Sequence, residues 1–424
     1  MTTGTRRNLK IQIYRFELSL LRILALVGLL LSAAILSAAA WHWTHPLPKL
    51  RDVRRWADDG QWDRADLSVR QFLARRPKDG EALLLAARIA AGRGDMESCL
   101  SLLHQVPTDS PHKPEALTRQ AQACQAMNSA RRAEAAWREL ARLRERDPQQ
   151  ARYRLAAQAE LVALMSLERR LTEAEALLWQ MYPDHSEKWR ILIGLARVHA
   201  RGSTPKSAIE MLQRFVEHDP DDFDARRALS FCAIDTFQWD QAIELATTCL
   251  EQQPTDVRSL EILLECYLRQ QQWEAMDAIL ARPELENSGV QSLRLRAQRL
   301  EAVQQADEAE NCYRQALRLD PRDHTTHYQL SQLLQRLGRG EPAQEHMVEF
   351  RRLKEHDDEL AKFISRFPQS DASGWTAPEP DQCVELAEHC TALGRIDEAR
   401  AWLKEALRRQ PKFPAAQEAL QDLP

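Results

Sequence analysis

His324 and His327 come nearest to a metal seat in this chain, since residues three apart share a helical face. No carboxylate or cysteine at ligand spacing joins them, and no HExxH occurs, so no metal-ligating residue is predicted. Cys383 and Cys390 also share a face, with His389 beside them. Two turns of one helix hold their sulfurs about 10 Å apart, too far to bond, so both are expected in a core. The 8 cysteines form no CxxC pair, which removes a zinc framework, and eight thiols would have to stay buried in an oxidising compartment. Gly92-Arg93-Gly94 and Gly338-Arg339-Gly340 lack the rest of a phosphate-binding loop and read as turns. Glu261 and Glu265, one helical turn apart on a charged stretch, read as a solvated face before they read as an acid–base pair. No catalytic or cofactor-binding residue is predicted, and the chain is not expected to be an enzyme.

The elements that carry these residues must be helices. With 424 residues the chain exceeds one ordinary core, so several domains or a repeat array are expected. A 44% hydrophobic and 28% charged composition is that of a folded protein. Only 13 glycines, set among many Ala, Leu, Arg, Gln and Glu residues, favour helix nearly throughout. A net charge of −4 gives no general attraction for phosphate backbones, so nucleic acid is not an expected partner.

Residues 1–17 form a basic tail with Arg6, Arg7, Lys10 and Arg15, and a charge-free apolar run follows from Ile23 to Ala40. At helical rise that run spans about 27 Å, close to the hydrocarbon thickness of a bilayer. Arg22 can snorkel to the headgroups, which extends the span back to Leu18, and Trp41 and Trp43 suit an interfacial aromatic belt. Residues 18–41 are therefore predicted to be one transmembrane helix, a signal anchor. The rival is a cleaved signal peptide with a site at Ala38-Ala39-Ala40, whose apolar region would be only ~7–15 residues long. The basic tail places the N-terminus in the cytoplasm and the remainder outside it, periplasmic if the source is bacterial.

Beyond the anchor the chain repeats. Counting Phe223 as the first position, Ser230 is the eighth, Trp239 the seventeenth, Ala242 the twentieth and Pro254 the thirty-second. A shift of about 34 residues returns Leu264, Trp273 and Met276. Ala65 and Pro77 recur as Cys99 and Pro111, then as units with Ala136 and Pro148, Ala208 and Pro220, and Ala309 and Pro321. Small residues at the eighth and twentieth positions let two antiparallel helices approach closely. The aromatic residue (Trp62, Trp239, Trp273) anchors the start of the second helix, and proline ends the pair. Helices of about 12–14 residues are marginal alone, so each pair requires its neighbours. The units around Thr172 and Arg282 are irregular. Residues 46–366 are read as an array of about nine units, 367–380 as a Pro/Ser/Gly-rich linker, and 381–424 as a terminal unit with a capping helix that begins near Pro414.

This skeleton resembles the tetratricopeptide repeat family over roughly residues 46–424. The resemblance implies an all-α solenoid of stacked helix–turn–helix repeats, here preceded by the transmembrane helix. It also implies that the first helices line a concave groove for a protein or peptide, with no catalysis by the repeats. Mapped on the family's groove positions, the central units present Arg190, Ile193, Arg197, Arg227, Phe231, Arg258, Glu261, Glu265 and Arg294. The family's lysine–asparagine carboxylate clamp is absent, because Leu50 and Arg54 stand at the corresponding places. A ladder of asparagines is absent too, since this residue occurs only as Asn8, Asn128, Asn287 and Asn311. An arginine-bearing groove suits an acidic or carboxylate-bearing partner, because guanidinium pairs with carboxylate bidentately; the competing view is that these charges are simply solvated helix faces.

The expectation is a membrane-tethered, non-catalytic scaffold that binds protein or peptide partners. The alternative is a regulatory or assembly subunit of an envelope enzyme or of a polysaccharide or cell-wall export complex.

Overall fold

The computed structural model describes residues 49–143, 148–199, 206–286, 289–367 and 376–424, which contain helices and no strand. The predicted basic tail and transmembrane helix lie outside the described residues, as does 368–375 of the predicted linker. No helix among the described residues is long and apolar enough to cross a membrane. The chain divides into two units, Met1–Ala116 and Leu117–Pro424.

In the first unit α1 (Leu50–Asp58), α2 (Trp62–Arg75), α3 (Gly80–Gly92) and α4 (Met96–His104) pack each on the next. Aspartates start the helices: Asp79 accepts from the Ala82 amide at 3.0 Å and Asp95 from the Ser98 amide at 3.1 Å, which satisfies donors a helix start leaves free. Ala65 is fully buried between Val53 and Ile89, as its place in the repeat requires. A side chain at Gly92 would come within 2.6 Å of the Trp62 indole, so that ring lies on bare backbone. Gly94, next but one, turns the chain at φ +81.

Helix α5 (Lys113–Ala126) carries the boundary, and sixteen further α-helices follow. They are α6 (Ala130–Arg142), α7 (Pro148–Leu167), α8 (Leu171–Met181), α9 (Lys188–His199), α10 (Lys206–His218), α11 (Phe223–Asp235), α12 (Trp239–Gln252) and α13 (Val257–Gln270). Then come α14 (Trp273–Leu280), α15 (Val290–Ala302), α16 (Ala306–Leu319), α17 (His324–Arg336), α18 (Gly340–Ile364), α19 (Pro380–Ala392), α20 (Ile396–Arg409) and α21 (Pro414–Asp422). Trp239 and Trp273 are each the first residue of a second helix. Ala242 and Ala309 are fully buried, and Ala208 is half-buried. Asp222, Asp256 and Asp323 cap the first helices of their pairs through amides at 3.2, 2.8 and 3.0 Å.

One backbone device recurs between the two helices of a pair. The Phe237 amide donates to the Ile234 carbonyl and the Gln238 amide to the Ala233 carbonyl, a helix end that needs a left-handed residue at Phe237. Gly60, Gly94, Gly338 and Gly394 hold the same conformation, and so do Asn128, Arg169, Phe237, Gln271 and Gln304.

The irregular stretches depart from simple stacking. Helix α14 has 8 residues and gives way to a 3-10 turn at Pro283–Leu285, while α18 extends to 25 residues. Ala130 of α6 and Leu164 of α7 share one core with Leu212 and Phe215 of α10 and with Leu229 and Cys232 of α11. Arg131 and Asp219 close the same junction at 2.6 Å. Helix α9 instead meets α18 and α20. Trp189 packs on Phe367 with ring centroids 6.2 Å apart, Arg197 donates to the Phe367 carbonyl, the Tyr182 hydroxyl lies 3.5 Å from the Ala401 carbonyl, and His199 Nε2 lies 3.1 Å from Glu398 Oε1.

Candidate functional site

The groove candidates divide by helix. On α9, Arg190 pairs with Glu187 at 2.8 Å. Arg197 is turned to Phe367, and burial holds its guanidinium below the ordinary arginine range. Both therefore lie on the helix that meets α18 and α20. On α11, Arg227 donates to Asp224 at 2.8 Å and to Asp256 at 3.1 Å, which ties it to the cap of α13. Arg294 of α15 does the same two pairs later, reaching Asp323, the cap of α17, at 3.1 Å. These two arginines are structural pins between successive first helices.

On α13, Glu265 pairs with Arg269 at 2.8 Å. Glu261 accepts from the Ser292 hydroxyl at 2.7 Å; burial raises its carboxyl against that bond and against the charges of Arg258 and Arg294. Arg258 is exposed and forms no ion pair or side-chain hydrogen bond among the described residues. Phe231 is half-buried, and the Arg169 guanidinium lies over its ring, 3.8 Å from the centroid. Arg169, which groove mapping did not mark, thus contacts Phe231, and its charge is opposed by that of Arg258. Its signal was present: Arg169 holds a left-handed backbone (φ 55) where glycine or asparagine costs less.

Beside it lies a charged knot also unmarked by the mapping. Arg170 donates to Glu134 of α6, to Glu173 of α8 and to Glu168, with distances from 2.8 to 3.0 Å. Burial alone would raise Glu134, but bonds from Arg170 and Arg138 leave its carboxyl below the ordinary value, and Arg170 does the same for Glu173. Glu168 is the innermost of the three, and burial pushes it up to about 8. One guanidinium cannot balance three carboxylates, so the deepest keeps its proton near neutrality.

The histidines separate. His327 Nδ1 lies 2.9 Å from His346 Nδ1 and its Nε2 3.0 Å from the Pro321 carbonyl, whereas His324 Nε2 is 3.9 Å from Asp357. Burial, then the facing His327, lowers His346. No group of three or more His, Cys, Asp or Glu able to hold a metal occurs among the described residues. Cys383 and Cys390 are both buried; burial pushes Cys383 up to about 12 and raises Cys390 further, so neither thiol ionises readily.

Residues 297–323 and 383–413 match the model of the tetratricopeptide repeat, so the chain carries repeats of this class. The first stretch runs from mid-α15 to the cap of α17, and the second covers α20 and most of α19. No curated protein matches the chain. Among solved structures, a tetratricopeptide repeat protein from Parabacteroides merdae is similar at 13% identity over 73% of this chain and 97% of its own, with a TM-score of 0.31. The pilF protein of Pseudomonas aeruginosa is similar at 16% identity over 54% of this chain and 95% of its own, TM-score 0.31. MamA from Desulfovibrio magneticus RS-1 is similar at 15% identity over 44% of this chain and 99% of its own, TM-score 0.29.

Proposed function

We propose that this chain is a membrane-tethered scaffold that holds a protein or peptide partner on the first helices of its repeats and catalyses no reaction. The observation that carries the reading is the run of small-residue hairpins, two stretches of which match the tetratricopeptide repeat. The charge-free run Ile23–Ala40 supports the tether, and the basic tail before it supports a cytoplasmic N-terminus with the repeats outside. The exposed Arg258 of α13, which has no ion pair among the described residues, supports a carboxylate-bearing partner.

Two measurements test it on the full chain in its native membranes. After an alkaline carbonate wash the chain is expected in the pellet, and a variant lacking residues 18–41 in the supernatant. A photo-crosslinking amino acid placed at Glu265 on α13 is expected to give a discrete protein adduct, which the same group at Arg351 on α18 does not. Complete carbonate release of the full chain overturns the tether, and no adduct from position 265 overturns the scaffold.

A further inference from the structure

Arginines in this part of the molecule are nearly all neutralised by the chain itself. Arg170 has three carboxylates, Arg138 has Glu134 and Glu173, Arg227 has Asp224 and Asp256, and Arg131 has Asp219. Arg169, Arg258 and the buried Arg226, whose Nη1 has no hydrogen-bond partner, stand apart. Neither Arg169 nor Arg258 has a guanidinium ion pair or hydrogen bond among the described residues, and the two act on each other as like charges. The side chains of Asp235 and Cys232 are the groups that favour the Arg169 charge, and neither pairs with it. Burial is the largest influence on that guanidinium and lowers it. A half-buried cation without a counter-ion is costly, and a left-handed backbone on a long side chain adds to the cost. The Phe231 ring holds this guanidinium, 3.8 Å from the ring centroid, without supplying a counter-charge.

We propose that Arg169, held over the Phe231 ring, and Arg258 form an anchor for a carboxylate of an acidic peptide segment in the partner. The inference rests on the scaffold reading above and names its partner's chemistry. A carboxylate bridging the two supplies the missing counter-ion, relieves the repulsion between them and takes the bidentate geometry that guanidinium favours. Neighbouring Arg227 and Arg294 are already held by helix caps and contribute position, not free charge.

The test uses fluorescein-labelled hexaglutamate, with hexaglutamine as its neutral counterpart, read by fluorescence anisotropy on the full chain in detergent. Hexaglutamate is expected to bind, more weakly as salt is raised, and hexaglutamine not to bind. Arg169→Gln and Arg258→Gln are each expected to weaken binding about tenfold or more. Arg352→Gln, at a residue paired with Glu349, is expected to leave it unchanged. Arg169→Gly separates binding from folding: it is expected to lose binding while raising the melting midpoint, because glycine adopts the left-handed backbone freely. A purely structural stack on Phe231 predicts the reverse, a lower midpoint with binding intact, and that result overturns the anchor. So do hexaglutamate binding that survives both glutamine variants, equal binding of hexaglutamine, or no binding by the unaltered chain. A partner adduct at position 265 without hexaglutamate binding sinks the anchor alone and leaves the scaffold standing.

Discussion

Glu168 and Arg170 meet at 2.9 Å with both side chains almost wholly shut from water, and the same guanidinium also serves Glu134 and Glu173. The three carboxylates come from α6, from the turn after α7 and from α8, so this arginine fastens the irregular part of the second unit. Removing it strands buried acid groups, whereas the protonated Glu168 is itself an optional member of the knot.

This makes a pH prediction with a definite sign. The Glu168 carboxyl rises from 4.5 to about 8, so across that window the folded state keeps a proton that the unfolded chain has released. Stability is fully present below the lower value and is lost as pH climbs through the upper one. Glu168→Gln keeps a neutral head at every pH. Its melting midpoint should match the unaltered chain near about pH 5 and exceed it by a few degrees near about pH 9. Parallel pH profiles for the two proteins would falsify a protonated Glu168.

The left-handed turns give a second prediction, free of side-chain contacts. Gly338 (φ +72) has open space where a Cβ would sit, so Gly338→Ala isolates the backbone cost. It should destabilise by about 1 kcal/mol. Gln304, at the matching turn two helices earlier (φ 63), should respond oppositely, with Gln304→Gly stabilising by a similar amount in urea unfolding. Equal signs for the two changes would show that side-chain packing, not backbone conformation, sets stability at these turns.

What could be read from the residues alone was whatever repeats. Alanine at the eighth and twentieth positions, tryptophan at the start of a second helix and proline near the end of a pair are local needs. They recur with the period, so Ala65, Ala242 and Ala309 could be placed in the core before any coordinates. The aspartate caps Asp222, Asp256 and Asp323 follow the same logic. Groove mapping names Phe231 and Arg258, because it too is periodic. It passes over Arg169, which contacts Phe231 from a turn and not from a helix face. It also could not tell that Arg227 and Arg294 are tied to the caps of the next pair. Contacts across great separations carry no period at all: nothing near Arg197 signals the Phe367 carbonyl 170 positions away. The same holds for Arg131 and Asp219, 88 positions apart.

That long-range meeting is itself open to measurement. Trp189 is buried, and its indole lies on the Phe367 ring at a 49° tilt, a separation within the favourable range for aromatic pairs. If α9 is held to the segment after α18 by this stack, a double-mutant cycle between Trp189→Ala and Phe367→Ala should give a coupling of about 0.5–1.5 kcal/mol in urea unfolding. Each single change should cost more than the coupling, because Trp189 also loses its burial against α9's other neighbours. The Arg197 bond to the Phe367 main chain survives a side-chain change at Phe367, so the cycle reports the rings and not the guanidinium. Strictly additive costs would mean that the two rings stand near one another without holding the helix in place.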